Sequence, residues 1–175
     1  MSVVYLLSSL PALSLDSRPA MTVPEFLAAC RGELSAKDAD ACVALALDRP
    51  GEHAFVRAWR DKEAVLRNIA VRNRARKLGR DAGRWTRPTS DCDLMLERLT
   101  DAAFQLEDPA QREKALDRAR WAAVEELEGV DPISVKRVFG YAVKLSLAWK
   151  WSGLDEAKGM AAFETLTDMT ISLTE

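Results

Sequence analysis

Apolar residues recur three and four positions apart in block after block, most blocks opening on a hydroxyl or carboxylate, and nowhere does the chain sustain a period of two. That rhythm admits helices and argues against a sheet. A strand puts alternate residues on one face, whereas a helix puts every third or fourth there. Thr22-Val23-Pro24-Glu25 has the capping-box form, a hydroxyl followed three residues later by a carboxylate, and opens a block with Phe26, Leu27 and Cys30 that Gly32 stops. Ser35-Ala36-Lys37-Asp38 starts the next block, through Ala39, Val43 and Leu47. After Pro50-Gly51 the spacing predicts a long helix from about Glu52 to Leu78, with Phe55, Trp59, Leu66 and Ile69 as one stripe. Ser90-Asp91-Cys92-Asp93 caps another, whose inner face would be Cys92, Met95, Leu96, Leu99, Ala103 and Leu106. Asp108-Pro109 opens a helix with Leu116, Ala119, Ala123, Val124 and Leu127 inside, ended by Gly129.

Asp131-Pro132 then starts a helix with two apolar seams, one through Val135, Val138, Ala142, Leu145 and Trp149, the other through Val143, Leu147 and Trp151. Two seams place it in the middle of a bundle. A last helix is predicted from about Asp155, with Ala162, Phe163, Leu166 and Met169 inside. Only the first few residues and the stretch from Thr165 are strand-like in composition. The expected fold is all-α: one helical domain over residues 1–175, a bundle of about seven helices. Breakers between Gly79 and Pro88 could hinge it into lobes 1–80 and 88–175.

The charge is uneven. The formal net charge is −2, yet residues 67–87 hold eight of the 25 cations (Arg67, Arg72, Arg74, Arg76, Lys77, Arg80, Arg84 and Arg87) and one of the 27 acids, Asp81. That segment is seven charges positive, and the rest, with 17 cations against 26 acids, is nine negative. Such a local field steers an anionic partner; the plainer alternative is a solvated helix face neutralised by acidic neighbours. Trp85 sits among these arginines, where it could stack on bases or anchor a protein interface. Lys144 lies within the apolar helix predicted from Asp131, with Lys136 and Gly140 on its stripe and Tyr141 beside it. It reads either as a snorkelling lysine or as a contact for an acidic partner.

The catalytic motifs of common enzyme classes are missing from the sequence. No phosphate-binding loop or dinucleotide fingerprint occurs. His53 is the only histidine, which excludes the usual zinc sites and leaves a catalytic triad without a nucleophile elbow. Cys30, Cys42 and Cys92 form no C-x-x-C pair and fit a reducing compartment. Neither a catalytic residue, a metal nor a cofactor is expected. Leu27-Ala28-Ala29-Cys30 has the form of a lipoprotein box, but Asp16, Arg18, Pro24 and Glu25 stand where an apolar run should precede it. No window supplies the ~18 uncharged apolar residues of a membrane span, so membrane contact is expected only through partners.

Several stretches, taken in order, carry a resemblance. Tyr5-Leu6-Leu7-Ser8-Ser9-Leu10-Pro11-Ala12-Leu13, followed by Val23-Pro24-Glu25-Phe26-Leu27, resembles an uncharacterised bacterial family whose members are encoded beside V-type ATPase subunits and are held to stand in for the C-type adaptor of that complex. Leu66-Arg67-Asn68 with Arg74-Ala75-Arg76-Lys77-Leu78-Gly79-Arg80-Asp81 is similar to it too. So are Arg120-Trp121 with Glu125-Glu126-Leu127, and Tyr141-Ala142-Val143-Lys144-Leu145 followed by Trp149, Gly159 and Phe163. The resemblance implies an all-helical, non-catalytic adaptor that sits on the membrane rotor ring and receives the foot of the central stalk. At 175 residues the chain is shorter than that adaptor, which is built from three related helical units.

The implied partners are the central-stalk and membrane-ring subunits of a V-type ATPase. The implied location is cytoplasmic, peripheral to the inner membrane face through that complex. The expected contact face is Arg67, Asn68, Arg72, Arg74, Arg76, Lys77 and Arg80, with Arg84, Tyr141 and Lys144 as further partner contacts. Two other readings stay open: a helical nucleic-acid-binding module using residues 67–87 with Trp85, and a small helical enzyme if a pocket gathers His53 with carboxylates.

Overall fold

The structure, a computed structural model, describes residues 2–89 and 93–153. Among these it holds seven α-helices and no strand: α1 (Val3–Ser9), α2 (Val23–Glu33), α3 (Ala36–Ala46), α4 (Ala54–Lys77), α5 (Leu94–Ala103), α6 (Pro109–Glu128) and α7 (Val135–Ser152), with one 3₁₀ turn over Gly83–Trp85. The chain is all-α. The helix predicted from Asp155, the strand-like stretch from Thr165, and Cys92 lie outside the described residues.

Most boundaries follow the capping chemistry. The Thr22 hydroxyl accepts from the Glu25 N–H at 3.4 Å and the Glu25 carboxylate accepts from the Thr22 N–H at 2.7 Å, a complete capping box on α2. Ser35 caps α3, Asp93 caps α5 and Asp108 caps α6. His53 caps α4, its Nδ1 accepting from the Phe55 N–H at 3.1 Å while its ring meets Phe139 edge-on at 4.7 Å. At the far end of α4, Gly79 takes φ +61°. The Arg80 N–H reaches the Ala75 carbonyl at 2.9 Å and the Gly79 N–H reaches Arg76 at 3.3 Å, a Schellman stop that a side chain with a Cβ would strain.

Three expectations need correction. The first residues are helical, not strand-like. Ser2 caps α1, and Val3, Leu6, Leu7 and Leu10 recur at helical spacing to bury one face before Pro11 ends it. The helix predicted from Asp131-Pro132 starts later, because the Asp131 carboxylate accepts from the Ile133 N–H at 3.0 Å and makes a turn, leaving Ser134 as the cap of α7. On α5 the buried residues are Leu96, Thr100 and Ala103, whereas Met95 and Leu99 are exposed.

One core holds all seven helices together. It runs from Leu6 through Phe26, Cys42, Val56, Leu96, Leu116 and Val138 to Leu145, so residues on both sides of Gly79–Pro88 contribute to a single apolar cluster. α7 is central and packs on α1, α2, α3 and α6, as its two seams require. Cys30, of the lipoprotein-like box, is fully buried in α2 beside Cys42. Its hydrogen bond and the surrounding burial hold the Cys42 thiol well above the ordinary thiol range. Between α1 and α2 the irregular segment is fastened to α7 at two points: the Tyr141 hydroxyl donates to the Pro11 carbonyl at 3.0 Å, and the Trp149 indole N–H donates to the Met21 carbonyl at 2.9 Å.

Candidate functional site

The last turns of α4 carry cations for a local reason and expose them for another. Cations at a helix C-terminus meet the negative end of the dipole, which favours Arg74, Arg76 and Lys77 in the last turn. Two of them also serve the neighbouring helix. The buried Phe104 ring lies under the Arg74 guanidinium at 5.7 Å and the Lys77 ammonium at 5.9 Å, with Arg112 at 5.8 Å. Lys77 donates to the Phe104 carbonyl at 2.9 Å and Arg112 to the Leu106 carbonyl at 2.7 Å, which satisfies the end of α5. Arg72, Arg74, Arg76, Lys77, Arg80, Arg84 and Arg87 are all exposed. Among the described residues no carboxylate comes within 4.0 Å of any of them.

The remaining residues of the expected face do other work. Arg67 is tied to Glu63 at 2.9 Å and stands 3.9 Å from Asp48. Asn68 is buried; its Nδ2 donates to the Arg87 carbonyl and its Oδ1 accepts from the Arg87 N–H, both at 2.8 Å. This two-point clasp fixes the loop after α4. The loop also holds itself: Asp81 accepts from the Gly83 N–H at 3.1 Å, and the Thr86 hydroxyl donates to the Gly83 carbonyl at 3.0 Å. Trp85 stands out from it, 65% exposed, with the Arg84 guanidinium over its ring at 5.1 Å. Between this loop, α4 and α6 lies a cleft of about 330 Å³, lined among others by Asn68, Val71, Arg74, Trp85, Arg87 and Leu116.

Tyr141 and Lys144 are turned inward elsewhere. Besides its bond to Pro11, Tyr141 packs on Phe26 at 5.2 Å, and burial pushes its hydroxyl up to about 12. The Lys144 ammonium is 2.9 Å from Glu128 and 3.3 Å from Glu125, over the Trp121 ring at 5.3 Å. Gly140 makes room for this cluster, since a Cβ there would stand 2.6 Å from Glu128 Cγ. These residues line a cleft that shares no residue with the one beneath Trp85. Tyr141 and Lys144, like Arg67 and Asn68, are therefore engaged within the fold. The structure brings residues of the distant stretches 5–13, 120–128 and 141–145 together around this cleft.

The largest ionic cluster was not legible in the sequence. Asp117, fully buried on α6, takes Arg120 at 2.7 Å, the Lys150 ammonium at 2.7 Å and the Trp151 indole N–H at 2.8 Å. Arg120 reaches across to Glu63 on α4 through two bonds, at 3.0 and 3.2 Å. Burial opposes the charge on Arg120 and on Lys150, yet bonds to Glu63 and Asp117, and to Asp117 and Glu113, hold both guanidinium and ammonium above their ordinary ranges. The cluster braces α4, α6 and α7 on one wall of a cleft of about 400 Å³. The signal available was the i,i+3 pair Asp117–Arg120 and the i,i+4 pair Glu63–Arg67, which spacing alone cannot tell from surface pairs. His53 is occupied as a helix cap. No group of three metal-ligating side chains occurs among the described residues, and no helix among them is long and apolar enough to cross a membrane.

Comparison with known proteins adds one finding. The model of a family described as proteins of unknown function, DUF2764, matches residues 93–171, which takes in α5, α6 and α7 and leaves the basic half of α4 outside. No curated protein and no solved structure matches the chain.

Proposed function

We propose that the chain is a non-catalytic helical adaptor of a bacterial V-type ATPase, linking soluble stalk and membrane-rotor parts in the manner of the C-type adaptor. The observation that carries this reading is the row of seven exposed cations from Arg72 to Arg87 with no carboxylate partner among the described residues. A chain that is otherwise net negative concentrates its positive field there, which suits an acidic partner surface. The ionic bracing of α4, α6 and α7 supports the reading, because an adaptor must hold its contact faces in fixed relation. Membrane attachment would run through the partner. Reversing Arg72, Arg76 and Arg80 to glutamate should abolish co-purification with ATPase subunits while circular dichroism shows the helicity retained. Unchanged assembly would remove the proposal.

A second reading, a nucleic-acid-binding module, draws on the exposed Trp85 among Arg84 and Arg87. Stacking on an indole beside arginines suits single strands and predicts binding that falls steeply with salt. A flat gel-shift titration at low salt would exclude it.

A further inference from the structure

We infer that the cleft beneath Trp85 receives an acidic protein segment: a carboxylate enters between Arg74 and Arg87, and the apolar residue beside it packs on the Trp85 indole. This deepens the adaptor reading and rests on it only for which protein supplies the segment. The cleft's cations divide into two kinds. Arg67 and Arg120 are already paired, with Glu63 and with Glu63 plus Asp117. Arg74 and Arg87 line the same space with no carboxylate partner among the described residues. Glu113, the carboxylate that lines the cleft, is engaged by Lys150 at 2.7 Å. Two guanidinium groups are thus available in a cleft also lined by the apolar Val71 and Leu116, and guanidinium is the group best shaped to take a carboxylate through two bonds.

The site is also built in advance. The Asn68 clasp fixes the backbone of Arg87, and the bonds among Asp81, Gly83 and Thr86 hold the turn that presents Trp85. An exposed indole flanked by arginines, on a loop ordered by a buried asparagine, has the composition of an interface anchor. The volume, about 330 Å³, suits one or two side chains. A long polyanion is the poorer occupant, because the sequence outside residues 67–87 is net negative and offers its continuation no further excess of cations.

The test uses the full chain and a fluorescein-labelled peptide rich in glutamate and leucine, read by anisotropy, beside its glutamine counterpart and labelled oligothymidylate. The glutamate peptide should bind and the glutamine peptide should not. Arg74→Glu with Arg87→Glu should weaken binding by about tenfold or more, and Trp85→Ala and Asn68→Ala by about threefold or more, whereas Arg31→Glu with Lys37→Glu, exposed on α2 and α3 outside the cleft, should change it less than about twofold. Equal losses from the inner and outer pairs would overturn the proposal, and so would oligothymidylate binding as tightly through the same residues. The adaptor reading fails separately. If the glutamate peptide does not bind the wild-type chain while the reversal of Arg72, Arg76 and Arg80 abolishes ATPase co-purification, the adaptor stands and the cleft proposal falls. If the peptide occupies the cleft but wild-type chain recovers no ATPase components, the cleft proposal stands and the adaptor falls.

Discussion

Thr100 shows how a single residue can turn a helix face. The apolar pattern of α5 points Leu99 inward, yet Leu99 is 39% exposed and Thr100 is fully buried. The Thr100 hydroxyl is the one buried side-chain oxygen or nitrogen among the described residues without a hydrogen-bond partner. A buried hydroxyl that has given up water for nothing is destabilising, and valine has nearly its shape. Thr100→Val should therefore stabilise the fold by about 1 kcal/mol, seen as a higher urea midpoint at unchanged slope. A loss of stability would show that the hydroxyl has a partner in solution. This face was illegible from hydropathy because a threonine occupies the buried position and leucines the exposed ones. Asn68 was hidden for a related reason: a polar residue in a basic run reads as surface, and nothing local announces that it clasps a loop 19 residues further on.

At the scale of an element, α5 is attached to α4 through an ion pair whose pH range can be worked out. Asp93 caps α5 and meets Lys62 of α4, which also reaches Glu126 of α6 at 2.9 Å. Burial pushes the Asp93 carboxyl up, but the Leu96 N–H and the Lys62 ammonium outweigh it and hold the carboxyl below its ordinary 3.8. Burial likewise opposes the Lys62 charge, and the bonds to Asp93 and Glu126 hold it above 10.5. A carboxyl lowered on folding contributes stability above its unfolded value and loses it as the pH falls through the folded one. An ammonium raised on folding contributes below its unfolded value and loses it as the pH climbs through the folded one. The pair should therefore hold α5 fully between about pH 4 and pH 10. Asp93→Asn keeps a capping side chain and removes the charge, so its melting temperature should fall less than that of the wild type between pH 5 and pH 2.5, a difference of a few degrees. Parallel curves would mean that the carboxylate is not selectively stabilised. Elements of this kind are readable because capping is local: Thr22, Ser35 and Asp108 announce their helices. The start of α7 departs from expectation because one local rule, Asp131 forming a turn, overrides another, Asp131-Pro132 opening a helix, and α1 because the strand-like composition of the first few residues yields to tertiary packing.

Across the whole molecule two groups of charges stand out among the described residues. One is engaged within the fold: Asp117, Arg120, Lys150 and Glu63 tie three helices together. The other, on the edge from Arg72 to Arg87, faces outward. Removing Asp117 would leave Arg120 and Lys150 in a partly buried site with one carboxylate fewer. Asp117→Ala should cost about 3 kcal/mol in urea denaturation, and Asp117→Asn, which can still accept from Trp151, less. A cost below about 1 kcal/mol would mean that the cluster does not couple the helices. The all-α fold was legible from periodicity and capping, but the split of the charges was not, because composition counts cations without saying which are engaged. The fastening of α7 through Tyr141 and Trp149 has a mechanical consequence. These donors sit about 12 Å apart along the axis and grip the same irregular segment at Pro11 and Met21. Twisting the helix about its long axis would pull both from their carbonyls together, so the two bonds define one rotational setting of α7 against that segment.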